Sequence, residues 1–190
     1  MTNLVEKPDR SIWYLAAAIA CIGAGQSTIF ILIPAEVRSL GFNEFEVGII
    51  FSISAIAWMI FSPFWGRLSD RFGRKWIFLI GIFGFSLSMI LFAAIISAAS
   101  YNLIPFILIL PLLIITRLIN GLLGSAVRPA AGGRIADLTS PETRAAGFAR
   151  FDAGWQMGVV TGPIFIGILL SIFNNNLFIP FLFILSLIHI

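Results

Sequence analysis

Long apolar runs separated by short charged or glycine-rich stretches set the pattern of this 190-residue chain. Six runs are legible, over roughly 11–34, 45–65, 76–98, 104–130, 147–172 and 177–190. A bilayer core is about 30 Å thick, so at 1.5 Å rise per residue a spanning helix needs about 20 mostly apolar residues. The first five runs meet that length. The sixth, from Leu177, holds 14 residues and is followed by no charge or aromatic anchor, which leads us to expect a chain that stops inside its sixth helix and belongs to a longer protein. Backbone N–H and C=O groups in lipid must be paired within the protein, and the alternating pattern of a membrane β-barrel is absent, so the runs are read as helices. The predicted fold is an all-α polytopic membrane protein, a single bundle over 1–190.

Composition agrees with that pattern. With 59% hydrophobic and 11% charged residues and a mean hydropathy of +1.01, the chain is more apolar than a soluble domain of this size requires. The net charge of +3 is unevenly placed. Lys7 and Arg10 precede the first run, Arg67, Arg71, Arg74 and Lys75 lie between the second and third, and Arg134 and Arg144 lie between the fourth and fifth, with Arg128 and Arg150 at that loop's edges. The remaining connections hold only Arg38. The positive-inside rule then puts the N-terminus and both basic loops in the cytoplasm and makes the lipid bilayer a partner; the expected location is the cytoplasmic (inner) membrane of a bacterium. No basic patch interleaved with aromatic residues points to nucleic acid. Cys21 is the single cysteine and His189 the single histidine, so neither a disulfide nor a metal site is expected, and no cofactor motif is present. Paired histidines, acid clusters and an activated serine are likewise missing from the pattern, which argues against an enzyme.

The polar residues inside the runs are the candidates for chemistry. Arg117 sits near the middle of the fourth run, where an arginine costs about 2.5–3.5 kcal/mol on translocon scales. Arg117, Asn120, Gly121 and Gly124 are spaced i, i+3, i+4 and i+7, one helix face directed into the bundle or a water-filled cavity. Gln26, at mid-depth in the first run, is a candidate co-liner. Structural readings compete: Arg117 as a cap on stray carbonyls, Gln26 as interhelical glue. Gly154, Gly158 and Gly162 make a small-residue stripe for close helix packing, and Pro163 should bend that helix or act as a hinge. Gly48, Ser52, Ala55 and Ser62 are read as a second packing face. No acid lies deep in the first four runs, so a coupling proton would use a carboxylate elsewhere, with Asp152 as the one nearby substitute.

The stretch GRLSDRFGRK, Gly66 to Lys75, joins the second and third runs. It resembles the signature loop of the major facilitator superfamily, which runs Gly, any, Leu, small, Asp, Arg, any, Gly, Arg, Lys or Arg. Three further stretches resemble the same superfamily in order: RLINGLLGSA through Arg117, Asn120 and Gly121; ADLTSPETR through Asp137 and Arg144; and GVVTGPIFIG through Gly158, Gly162, Pro163 and Gly167, with Ile166 departing from a Gly-Gly pair. The resemblance covers essentially the whole chain. It implies the N-terminal six-helix half of a 12-helix transporter, an inverted 3+3 repeat with substrate bound near the midplane, working by alternating access on a small organic solute or drug. It also implies a cytoplasmic gate built on Gly66, Asp70, Arg71, Gly73, Arg74 and Lys75, with Asp70 pairing Arg74, Asp137 completing the cluster and Arg144 beside it. A missing C-terminal half is the implied partner. The competing function is a non-transporting membrane remnant or scaffold subunit.

Overall fold

The computed structural model describes residues 10–172. The expected sixth span lies outside the described residues. Those residues form helix α1 (Arg10–Ser39), α2 (Glu44–Phe72), α3 (Arg74–Ser100), α4 (Phe106–Ile119), a π-helical turn (Asn120–Gly124), α5 (Val127–Leu138) and α6 (Arg144–Ile172), with no strand among them. Four stretches, Ser11–Ser39, Glu44–Phe72, Arg74–Ser100 and Phe106–Leu138, are long and apolar enough to cross a bilayer. The core lies among α1, α3 and the α4–α5 stretch, where Ile19, Ile29, Phe85, Met89, Leu113 and Ile135 are buried.

Local chemistry sets the connections. Asn43 caps α2: its Oδ1 accepts from the backbone N–H groups of Phe45 and Glu46 at 3.0 and 3.1 Å, while Glu46 Oε2 accepts from the Asn43 N–H at 2.8 Å. This reciprocal capping satisfies donors that a helix start leaves open. Between α2 and α3 the break is a single residue, Gly73, at φ 97° and ψ 137°. A side chain at that φ would be strained, so glycine is the residue that permits so abrupt a junction.

Several helices run past the ends that hydropathy predicts. α2 continues to Phe72 and absorbs GRLSDRF, and α5 continues to Leu138, so Arg134 and Asp137 are helical, not loop. Hydropathy marks where lipid contact ends, whereas a helix ends where its hydrogen-bond ladder is capped or broken. The α2 face expected to pack through Gly48, Ser52 and Ala55 is also corrected. Those three are exposed, and α2 instead buries Val47, Ile50, Ser54 and Ala57. The reason is Gly121, whose missing side chain lets Ser54 and Ala57 approach: a β-carbon there would stand 2.7 Å from the Ser54 carbonyl oxygen.

The most extensive helix pairing is α1 with α6. Gly154, Gly158 and Gly162 rest in turn on Ala16, Ala20 and Ala24 of α1, in rising order on both helices, so the two run parallel. A β-carbon at Gly162 would lie 2.6 Å from both Ala24 O and Ser27 Oγ, and one at Gly158 would collide with the Ala20 carbonyl. α6 continues as helix through Pro163.

Candidate functional site

Two polar clusters stand out, one at the basic end of the bundle and one inside it. At the basic end the end of α2, the start of α3 and α5 converge on Arg74. Its guanidinium pairs with Asp70 one turn before it, donates from Nη1 to Ser69 Oγ at 2.9 Å, and donates from Nε to Asp137 Oδ2 at 3.2 Å. It also lies against Gly133, where any side chain would displace it. One cation therefore ties three helical segments together. The other residues expected here are less engaged. Gly66 is an ordinary helical residue near Pro129, Arg71 lies over its neighbour Phe72 at 5.9 Å, and Lys75 and Arg144 are exposed.

Asp70 and Asp137 are about half exposed or more, at 62% and 48%, so solvent screening limits what each pair adds to stability. Asp70→Asn is accordingly expected to change the thermal stability of the full-length protein by no more than about 1 kcal/mol. The same change should raise the reactivity of cysteines introduced along the basic end of the bundle, because one of the two ion pairs of Arg74 is gone. Unchanged labelling rates would reject a gating role for this cluster.

The interior cluster centres on the π turn. Such turns occur as single-turn insertions in α-helices, often at functional sites. Here the altered ladder is supported by side chains: Trp65 Nε1 donates to the Leu122 carbonyl at 2.6 Å, and Ser125 Oγ donates to the same oxygen at 3.0 Å. Asn120, fully buried, opens the turn, and its Oδ1 accepts from Ser54 Oγ at 3.3 Å and Trp58 Nε1 at 3.4 Å. Arg117 is 1% exposed, and its Nε and Nη1 have no hydrogen-bond partner among the described residues. Its guanidinium carbon lies 5.7 Å from the Phe51 ring centroid. A cavity of about 510 Å³ opens beside it, lined in part by Gln26, Phe51, Ser54, Trp58 and Arg128. The structure thus brings Gln26 and Arg117 to one cavity and places Asn120 behind its wall. Replacing Asn120 with alanine would strand the Ser54 hydroxyl and the Trp58 indole N–H. That loss should cost about 1–3 kcal/mol, read as a lower melting temperature of the detergent-solubilised full-length protein.

The Arg128 to Asp152 contact escaped the sequence reading. Arg128 Nη2 donates to Asp152 Oδ1 at 2.9 Å, and the Arg128 guanidinium lies 5.0 Å from the Trp155 ring centroid. Asp152 and Trp155 are three residues apart on α6, which was a signal of a shared face. Their partner on α5 was not signalled.

A protein-family comparison matches residues 15–189 to the Major Facilitator Superfamily. The chain belongs to that superfamily. It is 29% identical over 155 residues to the Quinolone resistance protein NorA of Staphylococcus aureus, covering 82% of this chain and 37% of that relative. It is 33% identical over 117 residues to the Tetracycline resistance protein, class B, of Escherichia coli, covering 62% of this chain and 26% of that relative. The superfamily chain described here thus aligns with less than half the length of either. Membership in a family of membrane transporters agrees with its apolar helices and makes it an integral membrane protein.

Proposed function

We propose that this facilitator chain is the N-terminal part of a secondary transporter that exports a drug or small organic solute by alternating access, with its N-terminus and basic end in the cytoplasm. The observation that carries the reading is Arg117: a buried cation with two donors that have no partner among the described residues, at the edge of a cavity that also receives Gln26. Isolated charge within a membrane helix is costly and marks substrate or ion pathways. A solute with a carboxylate or other acceptor would meet those donors, and Phe51 and Trp58 offer flat apolar contact to an aromatic body. The two relatives are named for resistance to quinolones and to tetracycline, which supports solutes of that size and polarity. The Arg74 cluster is read as a gate at the cytoplasmic end. A second helical half is the proposed partner, and the exposed Gly48, Ser52 and Ala55 face of α2 is suited to close contact with it. A coupling proton would need a carboxylate. Among the described residues, Asp152 contacts the cavity wall through Arg128.

The test is flux through the full-length protein in proteoliposomes, across a panel of quinolones, tetracyclines and organic acids, with and without an imposed proton gradient. Saturable uptake of at least one member supports the reading. Flux no faster than in protein-free vesicles for the whole panel would overturn it.

A further inference from the structure

Two arginines line the interior cavity, Arg117 on α4 and Arg128 on α5, and they are held in different ways. We infer that Asp152 sets the charge class of the solute: by holding Arg128 it cancels one of the two cations, so that the cavity takes a flat aromatic monoanion in preference to a dianion. This inference rests on the solute-pathway reading of that cavity.

The pairing follows from how α5 meets α6. On α5, Arg128 and Gly132 are four residues apart and share a face, and on α6, Phe148, Asp152 and Trp155 share another at i, i+4 and i+7. Gly132 lies against the Phe148 ring, where a β-carbon would stand 3.4 Å from Cε1. One turn back along α5 and one turn on along α6, Arg128 Nη2 donates to Asp152 Oδ1 at 2.9 Å. Antiparallel packing in this register delivers the pair. The guanidinium also lies 5.0 Å from the Trp155 ring centroid, so a carboxylate and a ring of the same α6 face anchor one side chain.

Such a contact does little for folding. The Arg128 and Asp152 side chains are 43% and 60% exposed, and exposed ion pairs contribute about 0.2–1 kcal/mol. Its effect on the charge that a solute meets is larger. At 1.5 Å rise per residue, Arg128 stands roughly 16 Å from Arg117 along the α4–α5 stretch, so the two cations address opposite ends of a solute. Arg117 offers Nε and Nη1, which have no partner among the described residues. Arg128 is matched by Asp152, and a second carboxylate on the solute would have to displace that acid and then lie beside it. Two anions competing for one cation repel each other. A monoanion avoids the conflict, with its carboxylate at Arg117 and its ring body toward Trp155, which lines the same cavity.

Isothermal titration calorimetry of the detergent-solubilised full-length protein tests the inference, with the para-substituted biphenyl monocarboxylate and dicarboxylate as probes. The two share one ring system and differ in charge. The wild type should bind the dicarboxylate no more tightly than the monocarboxylate. Asp152→Asn frees Arg128 and should tighten the dicarboxylate roughly 5- to 10-fold while moving the monocarboxylate by less than about 2-fold. Adding Arg128→Gln to that variant should return the dicarboxylate to its wild-type affinity. Asp152→Ser removes the same charge and decides the matter if the asparagine variant misfolds. Arg150→Gln, two residues from Asp152 on α6, should leave the ratio of the two affinities unchanged. Tighter dicarboxylate binding in the wild type, an unchanged ratio in Asp152→Asn, a gain that survives Arg128→Gln, or an equal shift in Arg150→Gln would overturn the role of Asp152. Absence of saturable heat from both probes in every variant would overturn it too, while flux in proteoliposomes decides the transport reading separately.

Discussion

Gly158→Ala is expected to lower the thermal stability of the full-length protein by about 2–3 kcal/mol, and Gly158→Val to leave no monodisperse protein at all. A β-carbon at this position would overlap the Ala20 carbonyl and crowd the Ala24 backbone nitrogen on α1. Both obstacles are backbone, so no side-chain rotation makes room. The helices must separate, and separation at Gly158 also loosens the contacts at Gly154 and Gly162 on either side. Gly167 on the same helix has nothing within 4 Å of such a β-carbon. Gly167→Ala should therefore be neutral or slightly stabilising, since alanine is the better helix former by about 1 kcal/mol. Melting curves of fluorescent fusions followed by size-exclusion chromatography compare the three directly. If Gly158→Ala melts with the wild type, the parallel α1–α6 seam is not the close contact described here.

Arg117→Met is expected to do the reverse, losing transport while keeping or gaining stability. Two of the guanidinium donors have no hydrogen-bond partner among the described residues, so methionine removes a buried charge without stranding a protein acceptor. Replacing poorly compensated buried charge by an apolar residue of similar volume is often neutral or stabilising by about 1–4 kcal/mol. Hydrogen bonds to a charged group contribute about 1.5–3 kcal/mol, so a solute that relies on them should be carried roughly 10- to 100-fold more slowly. Lysine keeps the charge but lacks the planar fork, and Arg117→Lys should fall between. A purely structural arginine would show the opposite signs, with stability lost first. Wild-type flux in Arg117→Met across the solute panel would remove Arg117 from the pathway.

How far the sequence carried can be judged at particular residues. Helical spans were legible because the bilayer sets a length, and the Gly154, Gly158 and Gly162 stripe was legible because its spacing is local. The opposing Ala16, Ala20 and Ala24 were not, since hydropathy along one helix says nothing about its register against another. The same gap hid the Arg128–Asp152 contact, whose partners lie on α5 and α6. Residues 67–72 were read as part of a loop because charges crowd there between Gly66 and Gly73, yet they complete α2, which ends only where Gly73 turns to positive φ. The π turn at Asn120–Gly124 left no trace in a run of leucines and glycines that fits a regular helix equally well. Arg74, Asp70 and Asp137 were grouped through family resemblance, and the geometry supplies Ser69 and Gly133 as the further residues that seat the guanidinium.

The α1–α6 seam also has a consequence for biosynthesis. Ala24 and its counterpart Gly162 are separated by about 140 residues, so at roughly 5–20 residues per second the ribosome needs about 7–28 s to deliver the second after the first. During that interval α1 has entered the membrane with its alanine ridge facing lipid or the insertion machinery, and three further crossings are made before its principal neighbour exists. The seam is the long-range closure of this bundle, completed late, and slower elongation across α6 would lengthen the period in which a nascent chain is open to quality-control proteases.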